Sequence, residues 1–161
     1  MSEDEFLFHI KANQGIITKL VNLYANDIEE RKDLYQEIMY QGWKNAGTFK
    51  AASKFSTWLY RLCLNTILLN KRKARRIDYN VDLEHAVVPV NPGEAYDHAE
   101  QLYSCVKTLD EADRAIITMH LDGYNNEEIA EVMGILTPHL AVKLHRIKKQ
   151  LVTVLKRDLY E

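Results

Sequence analysis

Apolar positions between residues 125 and 149 fall into two short helical stripes separated by a glycine. Ile129, Ala130 and Met133 take the spacing that turns one face of a helix inward, and the small Ala130 at its centre admits a close helix crossing. Gly134 follows the last periodic residue, where a chain leaving a helix often turns left-handed. Thr137 and Pro138 then signal a new start, with Thr137 as cap and Pro138 as the first helical residue. Leu140, Leu144 and Ile147 continue the second stripe four and three residues apart, while His139, Lys143, Arg146 and Lys149 fall on the other side. The pattern predicts a helix-turn-helix with one apolar and one basic face.

Helical periodicity runs through most of the remaining chain. Ile17, Leu20, Val21 and Tyr24 form one stripe, and Asp33–Trp43 makes the next helix with Leu34, Ile38 and Trp43 inward and Gly42 near its end. A polar loop over 44–53 precedes a long helix from about Lys54 to Arg76, whose apolar face holds Phe55, Trp58, Leu59, Leu62 and Leu69. Residues 77–98 lose the periodicity, carry Pro89, Pro92 and Gly93, and read as a linker. Helix resumes near Ala99 with Leu102, Cys105, Val106 and Leu109 on one face, breaks at 109–111, and continues over Ala112–Leu121. The expected fold is all-α, with two small helical domains, 1–76 and 99–161, joined by a flexible linker.

Composition permits this division: 161 residues are 47% hydrophobic and 27% charged. A net charge of −2 argues against a nucleic-acid partner until its distribution is seen. Residues 61–80 hold six Lys/Arg against one acid and residues 136–161 six against two, whereas 81–135 hold two against twelve. Two basic zones flank an acidic one, a layout suited to local phosphate contact. Cys63 and Cys105 lie in apolar helical stretches without metal-ligand spacing, as small core residues of a reducing compartment do. The sequence shows no signal peptide and no apolar run long enough to span a bilayer, so a cytoplasmic location without membrane insertion is expected.

Catalysis finds no support. Six histidines, at 9, 85, 98, 120, 139 and 145, are scattered, and there is no glycine-rich phosphate loop or assembled nucleophile and base. His139 and His145 are six apart on a helix, nearly opposite faces for a shared metal. The expectation is a binding protein with no enzymatic activity, cofactor or metal.

Three blocks in order resemble bacterial RNA polymerase sigma factors of the sigma-70 superfamily, the small extracytoplasmic-function type that has only regions two and four. Asp33-Leu34-Tyr35-Gln36-Glu37 is similar to the family's Asp-Leu-x-Gln-Glu signature. Phe55 through Arg61, followed by Asn65-Thr66, resembles its Thr-Trp-Leu-Tyr-Arg and Asn-Thr block, and Leu109 onward, through Asn126–Ala130 and Leu144-His145-Arg146, is similar to region four. The resemblance implies a chain that binds core polymerase and directs promoter recognition and transcription initiation.

Residue by residue, the resemblance gives Asp33, Leu34, Gln36 and Glu37 the docking role on the beta-prime clamp helices, with the beta flap as region four's polymerase contact. It assigns minus-10 opening and base capture to Phe49, Lys50, Ala51, Ala52, Ser53, Lys54, Arg61 and Asn65. Lys71, Arg72, Lys73, Arg75 and Arg76 would contact phosphates without reading sequence. Minus-35 contacts fall to Asn126, Thr137, Pro138, His139, Ala141, Val142, Lys143, His145 and Arg146. Ala141 replaces a family Lys or Arg, a departure from the family's standard base contacts, and Leu136 stands where a capping Ser is common. An anti-sigma factor is a further implied partner. Two alternatives stay open at this point: a stand-alone helix-turn-helix regulator, and a sigma-like interaction module that does not read promoters.

Overall fold

The computed structural model describes residues 1–77 and 98–160, and all regular structure among them is helical. The elements are α1 (Glu3–Ala12), α2 (Gln14–Tyr24), α3 (Ile28–Asn45), a 3-10 turn (Ala46–Thr48), α4 (Phe55–Ile77), α5 (His98–Lys107), α6 (Glu111–Leu121), α7 (Asn126–Met133) and α8 (Thr137–Tyr160). The expected linker lies outside the described residues, apart from its ends, where Ile77 closes α4 and His98 opens α5.

α1 is an element that the periodicity does not predict. Ser2 accepts from the Glu5 amide at 3.2 Å while the Glu5 carboxylate accepts from the Ser2 amide at 2.9 Å, so two otherwise orphaned donors are satisfied reciprocally. Those hydrogen bonds also hold the Glu5 carboxyl below its ordinary pKa. Phe6 and Ile10 bury beneath the helix. The Phe6 ring approaches α3 at Gly42, where a Cβ would meet the ring edge at 3.2 Å.

α2, α3 and α4 pack together around Ile17, Leu20, Ile38, Leu59, Tyr60 and Ile67, all at or near zero exposure. The first expected stripe is buried in full. Asp27 caps α3 by accepting from the Glu30 amide at 2.7 Å, so the helix starts well before Asp33. Two expected inward residues differ. Trp43 meets Phe6 edge-on at 5.5 Å but stays 49% exposed, and Leu69, near the basic end of α4, is also half in water.

The second unit is the expected four-helix group. Asp110 caps α6 through the Asp113 amide at 2.8 Å, which accounts for the break at 109–111. Cys105, Val106, Ile116, Met119, Ile129, Leu140, Leu144, Ile147 and Leu151 form its core. Both cysteines are buried and free.

The two units also touch, α4 against α7 and α2 against α5. Tyr24 donates to the Glu111 carbonyl at 2.6 Å, Tyr103 to the Lys19 carbonyl at 3.1 Å, and Arg114 to the Leu23 carbonyl at 2.7 Å. The Arg114 guanidinium lies 4.9 Å from the Tyr24 ring centre.

Burial pushes the phenols of Tyr24, Tyr60 and Tyr103 above their ordinary range and the Cys63 thiol up to about 12. Each group therefore keeps its proton longer folded than unfolded. Their contribution is complete below the unfolded values and is lost as pH rises past them, with Lys107, lowered by burial, opposing in part. Denaturant melts should show stability falling from about pH 9 as the unfolded Cys63 thiol ionises and more steeply above about pH 10, at up to about 1.4 kcal/mol per pH unit for each of Cys63, Tyr24 and Tyr60. Tyr60→Phe should flatten that fall, and an unchanged alkaline limb would contradict the assignment.

Candidate nucleic-acid interface

The signature face of α3 presents Asp33 and Gln36 to solvent and leaves Glu37 half-buried, accepting from Gln41 at 2.9 Å. Leu34 corrects the expectation drawn from the resemblance. At 3% exposure it belongs to the core beneath that face and is closed to a docking partner.

After the 3-10 turn, Lys50, Ala51, Ala52, Ser53 and Lys54 form an exposed loop leading into α4. Ala51 adopts φ +56°, a left-handed conformation costly for a residue with a Cβ and more common at functional loops. Phe49 is not a free stacking platform. Its ring packs edge-on to Phe55 at 5.4 Å and tilted to Trp58 at 5.9 Å, and His9 stacks on the far side of the cluster, 4.8 Å from Phe55. The loop is thus anchored by aromatic packing at one end.

Beside this anchor, α3 and α4 enclose an open cavity of about 340 Å³. Trp58, Arg61, Asn65 and Lys73 come to it from α4, and Glu37, Gln41 and Asn45 from α3. Asn65 is exposed, with its amide free to donate and accept. The cavity brings together Arg61 and Asn65, two of the expected minus-10 residues, with a Trp and several amides.

Arg61 is also tied to the second unit. Its guanidinium donates to the Glu131 carbonyl and to Glu131 Oε1, both at 3.3 Å. Close by in space, the buried Tyr60 hydroxyl donates to Asp122 Oδ2 and packs edge-on to Tyr124 at 5.2 Å, while Lys19 bonds the other Asp122 oxygen. Burial and the Asp122 hydrogen bond together raise the Tyr60 pKa, so the phenol stays a donor. No local sequence signal marks Asp122, Glu131 or Lys19, because their partners lie 62 to 103 residues away.

The basic run at the end of α4 divides. Lys71 is mostly buried and paired with Glu30, and Arg75 pairs with Glu111, whereas Arg72, Lys73 and Arg76 are exposed.

In the helix-turn-helix, Asn125 caps α7 through a reciprocal box with Glu128 at 2.8 and 3.0 Å, and Asn126 is the first helical residue, partly exposed. Gly134 takes φ +69°, the left-handed turn expected of it. α8 begins one residue earlier than expected. The Leu136 carbonyl accepts from the Leu140 amide, so Leu136 is the cap, Thr137 the first helical residue and Pro138 the second. Pro138, His139, Ala141, Val142, His145 and Arg146 are exposed or partly so, opposite the buried Leu140, Leu144 and Ile147. Lys143 is half-buried. Burial and the neighbouring Asp110 hold the Asp113 carboxyl above its ordinary pKa, with Lys143 and Arg146 opposing in part.

Residues 9–77 match the family model of sigma-70 region 2, and residues 99–151 match that of sigma-70 region 4. The chain belongs to the sigma-70 family. The ECF RNA polymerase sigma factor SigW of Bacillus subtilis is 23% identical over 172 residues, covering 88% of this chain and 91% of its own. The sigma-H factor of Pseudomonas aeruginosa is 28% identical over 74% of this chain and 70% of its own. Among solved structures, RpoE of Bartonella quintana, in complex with the anti-sigma factor NepR, superposes with a TM-score of 0.69 at 19% identity, covering 96% of each chain. CnrH in complex with the cytosolic domain of CnrY gives 0.69 at 18% identity, over 98% of this chain and 91% of that one. These two likenesses extend to the fold of both regions together. Sigma factors are non-catalytic as a family. Among the described residues no group of side chains fits a metal, and no helix is long and apolar enough to cross a membrane.

Asp122→Ala should cost about 1–3 kcal/mol, because it orphans a buried phenol and removes the Lys19 partner. Glu131→Ala should cost under about 1 kcal/mol, since its pair with Arg61 is largely solvated. Small-angle scattering should show Asp122→Ala enlarging the free chain, and unchanged dimensions and stability would refute the role given to that carboxylate.

Proposed function

We propose that this chain is a promoter-specificity subunit that joins core RNA polymerase and directs initiation. The observation that carries the proposal is the grouping of Arg61 and Asn65 at one cavity beside the exposed loop 50–54, inside the stretch that matches region 2. A base leaving the duplex needs a concave site with amide groups for its edge and cations for its phosphate, and that cavity offers all three. Asp33 and Gln36 supply the exposed face for the beta-prime clamp helices, with the half-buried Glu37 at its edge. The exposed side of α8 serves the minus-35 element, and the domains are assigned as 1–76 and 99–161 on either side of the linker.

Elements named for positions 25 base pairs apart are separated by about 85 Å of duplex at about 3.4 Å per pair. We therefore read the Tyr60–Asp122 and Arg61–Glu131 contacts as ones that part on promoter engagement. The solved neighbours are complexes with anti-sigma partners, which supports a partner of that kind for this chain in its idle state.

Transcription by core polymerase, with and without this chain, on templates selected from a random promoter pool tests the proposal. Chain-dependent initiation is expected, and absence of both initiation and polymerase co-purification would reject it, whereas operator binding without polymerase would mark a stand-alone regulator. Asn65→Ala should lower initiation at least tenfold while leaving polymerase association intact. Replacing Arg72, Lys73 and Arg76 by Ala should reduce the salt slope of promoter binding by roughly 0.9 for each phosphate no longer neutralised. Lys71→Ala should instead act on stability, because Glu30 already holds it.

A further inference from the structure

Two opposite stripes define α8. Leu140, Leu144, Ile147 and Leu151 face the core, and the outermost line on the other side is Pro138, Val142, His145 and Lys149, spaced four, three and four. In a helix-turn-helix the first two turns of this helix approach the base edges. Those turns present Pro138, His139, Ala141 and Val142, preceded in the turn by Leu136. Leu136 is 78% exposed and Val142 65%, among the most exposed large apolar side chains of the described residues. Of Arg, Lys, Asn and Gln, those two turns hold only Lys143, which is half-buried. The side chains that ordinarily bond to guanine or adenine edges are therefore sparse where base contact is closest.

Apolar exposure of this kind on a helix points to an occupant. The surrounding charge selects nucleic acid. Arg146, Lys148 and Lys149 are exposed in the following turns, and 136–161 carries six Lys/Arg against two acids. In the major groove the one apolar feature of a base edge is the thymine methyl group.

We infer that Leu136 and Val142 read thymine methyl groups, so that the upstream element of this chain's promoters is selected by apolar contact rather than by bidentate hydrogen bonds. The inference rests on the proposed minus-35 role of α8. Ala141 and Pro138 add small apolar surface that tolerates close approach, and the cations that follow hold the phosphates on either side.

The test uses holoenzyme assembled from core polymerase and the full chain. Duplexes are selected from a random pool, and the recovered upstream element is resynthesised with deoxyuridine in place of each thymine in turn, which removes one methyl and nothing else. Thymine enrichment is expected, with about a fourfold loss of affinity at each contacted methyl. In Val142→Ala or Leu136→Ala holoenzyme, the loss at the matching position should disappear. Because both side chains are exposed, neither substitution should change the melting temperature, which is measured alongside. An enriched upstream element without methyl dependence, or with dependence that survives both substitutions, overturns the inference while leaving the promoter role standing. Failure to initiate on any template removes the promoter role itself and the inference with it. If the substitutions reduce polymerase co-purification and leave the selected sequence unchanged, the stripe is a protein contact and the inference is wrong.

Discussion

The Asp122 carboxylate is the point on which the arrangement of the two units turns. One oxygen accepts from a phenol that lies at 0% exposure on α4, and the other faces the Lys19 ammonium on α2. A buried hydroxyl without a partner costs about 1–3 kcal/mol, so Tyr60 strongly favours the geometry that supplies one. Yet the bond formed returns only a modest net gain, because water offers the same hydrogen bonds to the separated groups. The joint therefore specifies an orientation without making it permanent. Apolar burial supplies the larger stabilisation, through Ile17, Leu20, Ile38 and Ile67 in one unit and Ile116, Met119, Ile129 and Leu140 in the other.

Local chemistry makes much of the fold legible in the chain itself. The helix-turn-helix can be read because its left-handed glycine and its two stripes are encoded within a few residues, and the first stripe and the break at 109–111 follow the same logic. α1 escapes the periodicity because Phe6, Leu7 and Phe8 run together and blur the helical period, although Ser2 and Glu5 spell out a capping box. Leu136 and Thr137 show the limit on boundaries: a Thr-Pro start signal puts the cap one residue late.

Site residues are legible only as far as their partners are near. Asn65 and Arg61 are separated by one turn of α4, so their meeting at one cavity follows from helical spacing. Phe49 has the chemistry of a platform for bases, but its capture by Phe55 and Trp58 depends on how the loop folds back. A run of six residues rich in Lys and Arg is uniform as sequence, yet Glu30 and Glu111 single out Lys71 and Arg75 from sequence distances of 41 and 36 residues. No pattern within the run distinguishes them.

Those pairings give the acidic stretch 81–135 a structural meaning. Glu111, Asp122 and Glu131 all belong to it, and they face Arg75, Lys19 and Arg61 of the first unit. These three carboxylates thus serve as internal counter-ions for basic side chains of the N-terminal helices. Carboxylate and phosphate address the same donors, and a guanidinium bonded to Glu131 or Glu111 has fewer left for a nucleic-acid backbone. In the proposed role, the closed arrangement and phosphate binding would therefore compete for Arg61 and Arg75. Both interactions are screened by salt, but the carboxylate pairs are single and largely solvated, worth about 0–1 kcal/mol each, whereas phosphates come in a continuous array with counterions to release. In the proposed promoter role, duplex DNA presented by polymerase would hold the advantage in that exchange, and the part-buried Tyr60–Asp122 bond is what it would still have to overcome.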